Sequence, residues 1–211
     1  MELVSTFLQQ SITFFAIMDP IGISAIALSL LSTNITKTQV SKVAYKSTLT
    51  IVIAFFVVII TGEAILKLFG IDENSLKVMG GLVLILMAIS MVNGPSKPKS
   101  NGNTEEQKDD EELAIIPIGI PIAFGTGLFT TIIIFKHQAN TFVDLVSITL
   151  AFLVNAALFY IILKNSIYIK KYLGLTGQNI ITKLMGLIVG AIAVQFIISG
   201  IVNLAKGYWG A

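Results

Sequence analysis

Long apolar segments dominate this chain, and each is near or above the roughly 20 residues that a helix needs to cross a lipid bilayer. A bilayer offers no water to the backbone, so a spanning segment must satisfy its peptide groups internally, as a helix does. The sequence therefore predicts an all-α, polytopic membrane protein. Its six transmembrane helices are expected over approximately residues 3–31, 43–69, 76–92, 113–135, 142–163 and 181–205.

Composition supports a membrane protein and argues against several other classes. Of the 211 residues, 55% are hydrophobic and 12% are charged, whereas soluble domains carry about 25% charged residues. The net charge is only +2 and all basic residues other than the one histidine are lysines, which argues against a nucleic-acid partner. The chain has no cysteine, and its one histidine, His137, is expected in a loop, so no metal or other cofactor is predicted. Neither a nucleophile–base pair nor a phosphate-binding Gly-Lys-Ser/Thr motif is present, so we predict neither an enzyme nor an ATP-driven pump.

The first apolar segment contains an acid, a proline and a glycine within four residues, Asp19, Pro20 and Gly22. Proline removes a backbone donor, and glycine adopts backbone angles that other residues avoid. A carboxylate inside a membrane is costly unless it faces protein or a wet cavity. A broken helix of this kind is typical of a transporter binding site.

The fourth segment is interrupted in a similar way, by Pro117 and Pro121 and by glycines that include Gly125 and Gly127. The first and fourth segments each begin a group of three, and an odd number of spans makes the second group enter from the opposite side. We therefore predict two inverted repeats, residues 1–93 and 113–211, each with a broken first helix. The charged linker over 94–112 cannot bury a core. A plainer alternative is that proline and glycine only kink these helices.

The two predicted breaks supply the candidate site. A broken helix exposes backbone donors at one end and carbonyls at the other, which match the carboxylate and ammonium groups of an amino acid zwitterion. Asp19 either receives a substrate ammonium group or a proton, or it caps backbone donors at the break. Asn155 either joins the two breaks or forms an interhelical hydrogen bond, and threonine hydroxyls either face the substrate or bond to their own helix. The candidate substrate-binding residues are Asp19, Pro20, Gly22, Pro121, Gly125, Thr126, Gly127, Thr130 and Asn155.

The lysines predict the orientation in the membrane. Most of them follow the first, third and fifth segments, including a stretch with Lys164, Lys170 and Lys171 that is expected to be a loop before the sixth helix. By the positive-inside rule, this side faces the cytoplasm and both termini lie outside. Glu63 is expected to be a solvated residue near the outer end of the second helix. The outer side also holds Lys67, Lys77, Lys136 and Lys206.

Several stretches together carry a family resemblance, at residues 15–22, 75–81, 117–121, 125–127, 173–177, 183–188 and 193–197. With them the chain resembles the MarC family of six-helix inner-membrane proteins. The resemblance implies a transporter of small neutral amino acids such as glycine, alanine or serine, in the lysine-exporter superfamily. One departure is Thr126, which stands where the family pattern usually has proline between two glycines. It softens the break or adds a hydroxyl group.

The leading hypothesis is thus a secondary transporter in the cytoplasmic membrane that works by alternating access. It would need no cofactor other than a coupling proton or sodium ion. Its partners would be a small neutral amino acid and the lipid bilayer, and the residues do not indicate an oligomeric state. The alternative is an exporter or channel for other small solutes, without enzymatic activity.

Overall fold

The fold is helical throughout the part of the chain that the computed structural model describes, which comprises residues 2–31, 36–94, 118–119 and 123–209. Five candidate spans in these ranges are long and apolar enough to cross a membrane. The predicted all-α, multi-pass fold is confirmed. The described helices are α1 (Glu2–Met18), α2 (Pro20–Leu30), α3 (Lys37–Phe69), α4 (Glu73–Asn93), α5 (Thr126–Gln138), α6 (Phe142–Lys164) and α7 (Ser166–Trp209).

Contacts between helix ends establish the arrangement of the bundle. The side chain of Lys37, at the start of α3, bonds to the Tyr168 hydroxyl near the start of α7. At the other end of the bundle, Asn203 of α7 donates to Asn74 at the start of α4, over 3.3 Å. We call the first the lysine-rich end, because it holds Lys37, Lys42, Lys46, Lys164, Lys170 and Lys171, and the second the opposite end.

A cluster of phenylalanines joins four helices at the core of the bundle. Phe14 of α1 meets Phe135 of α5 and Phe152 of α6 edge to face, with ring centroids 5.4 and 5.5 Å apart. Phe55 of α3 stacks on Phe152 with centroids 4.0 Å apart. Each such aromatic pair contributes about 0.5–1.5 kcal/mol beyond the burial of its surface. Since lipid is as apolar as these side chains, close packing of this kind holds membrane helices together.

Helices α4 and α7 approach each other at glycines, as expected for small residues in membrane helix interfaces. A Cβ atom on Gly81 would lie 2.7 Å from the carbonyl oxygen of Ala193, and one on Gly200 would lie 2.7 Å from that of Asn74. No real Cβ atom sits that close to a backbone oxygen. The small residues therefore permit backbone-to-backbone contact between α4 and α7.

The prediction of a basic loop around Lys164, Lys170 and Lys171 is wrong. The chain is helical from Ser166 onward, and the sixth span extends the predicted range of 181–205 at both ends. The interruption lies instead at Gly174, with φ 62° and ψ 176°. Residues 166–173 alternate lysines and tyrosines with apolar residues, a composition that suits a short helix at the membrane surface.

An ion-pair cluster joins α3, α4 and α5 at the opposite end. Glu73 of α4 lies 2.5 Å from Lys77 Nζ and 2.6 Å from His137 Nδ1, and Glu63 of α3 lies 3.7 Å from Lys136 Nζ. The expectation that His137 lies in a loop is wrong, because it belongs to the last turn of α5, where basic side chains interact favourably with the helix dipole. Glu63 is half-exposed, as its predicted solvated position requires.

The two predicted halves are matched in their helix pairing, because α3 packs against α6 and α4 packs against α7. The inverted repeat and its boundaries at 1–93 and 113–211 nevertheless stay predictions. The linker over 94–112 lies outside the described residues except for Gly94. Of the fourth predicted segment, the structure describes Ile118, Gly119 and the residues from Ala123 onward.

Candidate functional site

The predicted break in the first helix lies at Asp19. Helix α1 ends at Met18 and α2 begins at Pro20, and Asp19 between them has φ 38° and ψ 62°. It is the one described residue other than glycine with a positive φ. Aspartate tolerates this left-handed conformation better than most residues, and such local strain is often found at functional sites.

Asp19 caps α2 with one of its two carboxylate oxygens. Its Oδ1 accepts a hydrogen bond from the backbone N–H of Gly22, over 3.2 Å. Pro20 has no N–H, so the carbonyl of Ala16 loses the donor that a continuous helix would give it. Of the alternatives given for Asp19, the structure shows the cap on a backbone donor, since Asp19 Oδ1 occupies the N–H of Gly22.

The second oxygen of Asp19 lies beside α7. A Cβ atom on Gly22 would lie 2.1 Å from Asp19 Oδ2 and 2.5 Å from the hydroxyl oxygen of Thr182. The two oxygens thus flank the same small space, which only a glycine leaves open. Asp19 itself is 6% exposed, and a carboxylate this deeply buried is costly unless it serves a function or a partner.

A cavity of about 260 Å³ opens beside this break, and we call it the Asp19 cavity. It lies between α2, the last two turns of α4 and the part of α7 that follows Gly174. Methionines and isoleucines form much of its wall. Its polar lining residues are Asp19, Ser90, Asn179 and Thr182.

The second predicted break precedes α5. Helix α5 begins at Thr126, and Gly125 before it is extended, with φ −80° and ψ 178°. No described side chain caps the first N–H groups of α5. A second cavity of about 480 Å³, which we call the Thr126 cavity, is lined by Gly125, Thr126, Gly127 and Leu128 together with residues of α1 and α4. The two breaks therefore differ, because a carboxylate caps α2 and no described side chain caps α5.

The two cavities are neighbours. Met87 of α4 lines both of them. Ile17, two residues before Asp19, also lines the Thr126 cavity, and a Cβ on Gly127 would lie 3.7 Å from its side chain. The structure thus brings the two predicted breaks together around the end of α1, with Met87 between the cavities.

Other predicted site residues lie elsewhere or are occupied. Thr130 Oγ1 donates to the carbonyl of Thr126 over 2.8 Å, so its hydroxyl bonds to its own helix. Asn155 Nδ2 donates to Ser11 O over 3.1 Å and to Ala151 O over 2.8 Å. Since Ser11 precedes Asp19 by about 12 Å of helix at 1.5 Å per residue, Asn155 forms an interhelical hydrogen bond and does not join the breaks. Pro121 lies outside the described residues.

Sequence reasoning missed the contribution of α7 to the site. Gln178 is fully buried, and its Nε2 donates to the hydroxyl of Ser24 in α2 over 3.1 Å. Asn179 and Thr182 line the Asp19 cavity from the same part of α7. The predicted sixth helix begins at residue 181, so Gln178 and Asn179 fall before it and Thr182 falls in its first turn. Their spacing along one face of a helix, at 178, 179 and 182, is the signal that could have found them.

Comparison with known proteins agrees with this architecture. A profile described as MarC family integral membrane protein matches residues 4–205. A UPF0056 membrane protein of Pyrococcus abyssi is 30% identical over 210 residues, covering 100% of this chain and 99% of the relative. Those of Aquifex aeolicus and Escherichia coli are 29% and 27% identical, covering 95% and 93% of this chain and 94% and 92% of their own lengths. No solved structure matches the chain.

Proposed function

The chain belongs to the MarC family of integral membrane proteins, and from this premise we propose that it is a secondary transporter of small neutral amino acids such as glycine, alanine or serine. The observation that carries the proposal is the pair of unequal helix breaks. Asp19 offers a carboxylate at the first break, and the start of α5 offers N–H groups that no described side chain caps. A zwitterion has the two charges that these ends would accept.

The proposed binding mode follows from the difference between the two helix breaks. The substrate ammonium group would approach Asp19 Oδ2, because Oδ1 is engaged by Gly22. The substrate carboxylate would face the first N–H groups of α5, where the helix dipole favours negative charge. Met87, which lines both cavities, would have to turn aside to admit the ligand. Methionine suits this role because its unbranched side chain adapts readily.

The size of the Asp19 cavity supports a small substrate. Pockets for drug-sized ligands have volumes of about 300–1,000 Å³, and this cavity has about 260 Å³. Its polar groups are few, so a large polar solute would leave most of its hydrogen bonds unsatisfied. The part of the substrate held in this cavity would therefore be small and have few polar groups, as in alanine, and its carboxylate would extend past Met87 into the Thr126 cavity.

The proposal places the chain in the cytoplasmic membrane without an enzymatic step. The lysine-rich end would face the cytoplasm by the positive-inside rule, with both termini outside. Alternating access would move the first half against the second around the two breaks, driven by a proton or sodium gradient. The one histidine pairs with Glu73 at the opposite end, away from Asp19.

Flux of radiolabelled glycine and alanine in proteoliposomes, with imposed pH or sodium gradients, tests the proposal. We expect gradient-dependent uptake by the native protein and a loss of at least about tenfold in Asp19→Asn. A charge-assisted hydrogen bond contributes about 1.5–3 kcal/mol, which corresponds to roughly one to two orders of magnitude in affinity. Absence of flux for every small neutral amino acid under both gradients would refute the transport proposal.

Asp72→Asn is the matched control. Asp72 caps α4 at the opposite end and is exposed, and asparagine caps helices about as well as aspartate. This variant should retain uptake within about twofold, because a cap of equal strength replaces the original. If Asp19→Asn melts far below the native protein and Asp72→Asn does not, Asp19 is structural, and the binding mode proposed for it is wrong.

A further inference from the structure

A third cavity, of about 470 Å³, lies between α1 and the second half of α7, and we call it the Gln9 groove. Gln9 and Gln195 line it from these two helices and are both exposed, whereas Thr13 is 5% exposed. Phe135 of α5 lines it as well. At 1.5 Å per residue, Gln9 lies about 10 Å from the start of α1 and Gln195 about 21 Å from the end of α7. Both amides therefore lie within the membrane-spanning part of the bundle.

The two glutamines indicate that the groove holds water. An amide at this depth is costly against lipid, because lipid offers it no hydrogen bonds. Polar residues of membrane helices accordingly face the interior of a bundle or a water-filled cavity. Each glutamine also offers both donors and an acceptor, so the pair could meet either charged end of a small zwitterion.

The groove leads along α1 to the candidate site. Gln9, Thr13 and Ile17 follow one another at four-residue spacing and so lie along one face of the helix. Thr13 lines the Gln9 groove, and Ile17 lines the Thr126 cavity. One turn of helix rises about 5.4 Å, so the groove and the Thr126 cavity are neighbours along α1.

The Asp19 cavity extends the other way, toward the lysine-rich end. Ser90, Met91 and Gly94 line it at the end of α4, and α4 begins at the opposite end of the bundle. The Asp19 cavity, the Thr126 cavity and the Gln9 groove thus form a series that runs from one end of the bundle toward the other. Alternating access requires a route from the site to each face of the membrane.

We propose that the Gln9 groove is the water-filled route between the opposite end and the Thr126 cavity, and that Gln9 and Gln195 form hydrogen bonds to the amino acid as it passes. Ile17 and Phe135, which are 2% and 8% exposed, close the inner end of the route in this conformation. This inference rests on the proposed transport function and adds to it the route and its residues. A lipid acyl chain in the groove would leave both amides without hydrogen bonds.

Single cysteines are selective probes of this route, because the native sequence has none. Gln9→Cys and Gln195→Cys are reconstituted separately in proteoliposomes and treated with a charged, membrane-impermeant methanethiosulfonate reagent. We expect each thiol to be labelled at least about tenfold faster than a thiol that faces lipid, because the reactive thiolate forms in water and not in apolar surroundings. Uptake of radiolabelled glycine should then fall at least about fivefold, since the attached group obstructs the route. The two positions lie on different helices, so either one tests the route if the other variant does not fold.

Ile60→Cys is the matched control. Ile60 is 71% exposed and lies about 14 Å from the end of α3, at a depth similar to that of Gln9. Its thiol should be labelled slowly, and treatment should change glycine uptake by less than about twofold.

The measured rates separate the route from its alternatives. Equally slow labelling of all three cysteines would overturn the proposal in favour of a groove filled by lipid, and a disulfide-linked dimer of Gln9→Cys would overturn it in favour of a contact between two copies of the chain. Rapid labelling that leaves glycine uptake unchanged would refute the route while the transport function stands. Absence of uptake by the native protein would instead refute the transport function on which the route depends.

Discussion

The two carboxylate oxygens of Asp19 have different surroundings. Oδ1 completes the first turn of α2 by accepting from Gly22, and Oδ2 lies beside Thr182. The alternatives of a structural cap and a ligand-contacting acid are thus compatible, because they use different atoms. Asp19 also has a left-handed backbone, at the junction between α1 and α2.

Gly22→Ala tests this arrangement of the Asp19 oxygens by adding one methyl group beside them. Its Cβ would lie within 2.5 Å of Asp19 Oδ2 and of the Thr182 hydroxyl, so the carboxylate must turn away. We expect amino acid uptake to fall about tenfold or more, since misplacing an active group by about 1 Å can cost a hundredfold in rate. Proteoliposome flux measures the effect.

Gly190→Ala is the corresponding control on α7. Its Cβ would meet only the Ala88 side chain, at the ordinary contact distance of 3.5 Å. Uptake by this variant should stay near the native level. If Gly22→Ala transports as well as Gly190→Ala does, the position of Asp19 Oδ2 is not important for transport.

At the residue scale, the sequence predicts the break well and its surroundings poorly. An acid, a proline and a glycine within four residues disfavour an uninterrupted helix. The break at Asp19, Pro20 and Gly22 could therefore be predicted directly from the sequence. Thr182 could be found only if the sixth helix were extended back past residue 181, because it then shares a face with Gln178 and Asn179. The role of Asn155 could not be predicted in this way, because its buried amide donates to Ser11 on α1 and not to a group at the predicted breaks.

At the scale of elements, the contact of α4 with α7 depends on glycine. Gly81→Ala would place a methyl carbon 2.7 Å from the carbonyl oxygen of Ala193, so the two helices must separate. We expect a loss of about 1–3 kcal/mol in stability. This corresponds to a melting temperature lower by roughly 2–12 °C for a chain of this size. Thermal unfolding of the purified protein in detergent measures the shift.

Gly207→Ala provides the comparison within α7. Its Cβ would have no neighbour within 4 Å, and alanine favours helix over glycine by up to about 1 kcal/mol. This variant should melt at the native temperature or slightly above it. Equal melting temperatures for both alanine variants would show that the close approach of α4 and α7 does not contribute to stability.

The presence of each transmembrane helix could be predicted from the length of its apolar run, whereas the residues at which the helix begins and ends could not. Lys170 and Lys171 are typical of a loop, so the sequence predicts that the sixth helix begins at residue 181. A helix at a membrane surface tolerates lysines whose long stems lie on apolar surface while their charges reach water. The true interruption, Gly174, adopts a positive φ that only the folded chain reveals.

At the scale of the whole molecule, the ion-pair cluster joins α3 and α4 of the first predicted half to α5 of the second. Glu73→Gln would leave Lys77, whose side chain is 8% exposed, without its carboxylate. Removing one partner of a buried pair costs about 3–5 kcal/mol, and partial exposure of Glu73 reduces this to about 2 kcal/mol. The melting temperature should fall by roughly 4–8 °C.

Glu63→Gln removes a carboxylate of the same cluster that is half-exposed. Water can solvate the lysines that pair with Glu63 once the carboxylate is removed. The melting temperature should therefore change much less than in Glu73→Gln. Thermal unfolding at low and high salt distinguishes the two, because screening weakens the exposed pair further. A Glu63→Gln shift as large as that of Glu73→Gln would contradict the view that burial of Lys77 makes the difference.

The unequal capping of α2 and α5 bears on how strongly each conformation of the proposed transporter would be populated. In a transporter whose halves exchange roles, two identical halves would give inward-open and outward-open conformations of equal free energy. In the proposed transporter, an acid at only one of the two breaks would remove that degeneracy, so one conformation would predominate at rest. The apparent substrate affinity would then differ between the two faces of the membrane, and transport in one direction would saturate at a lower concentration than transport in the other.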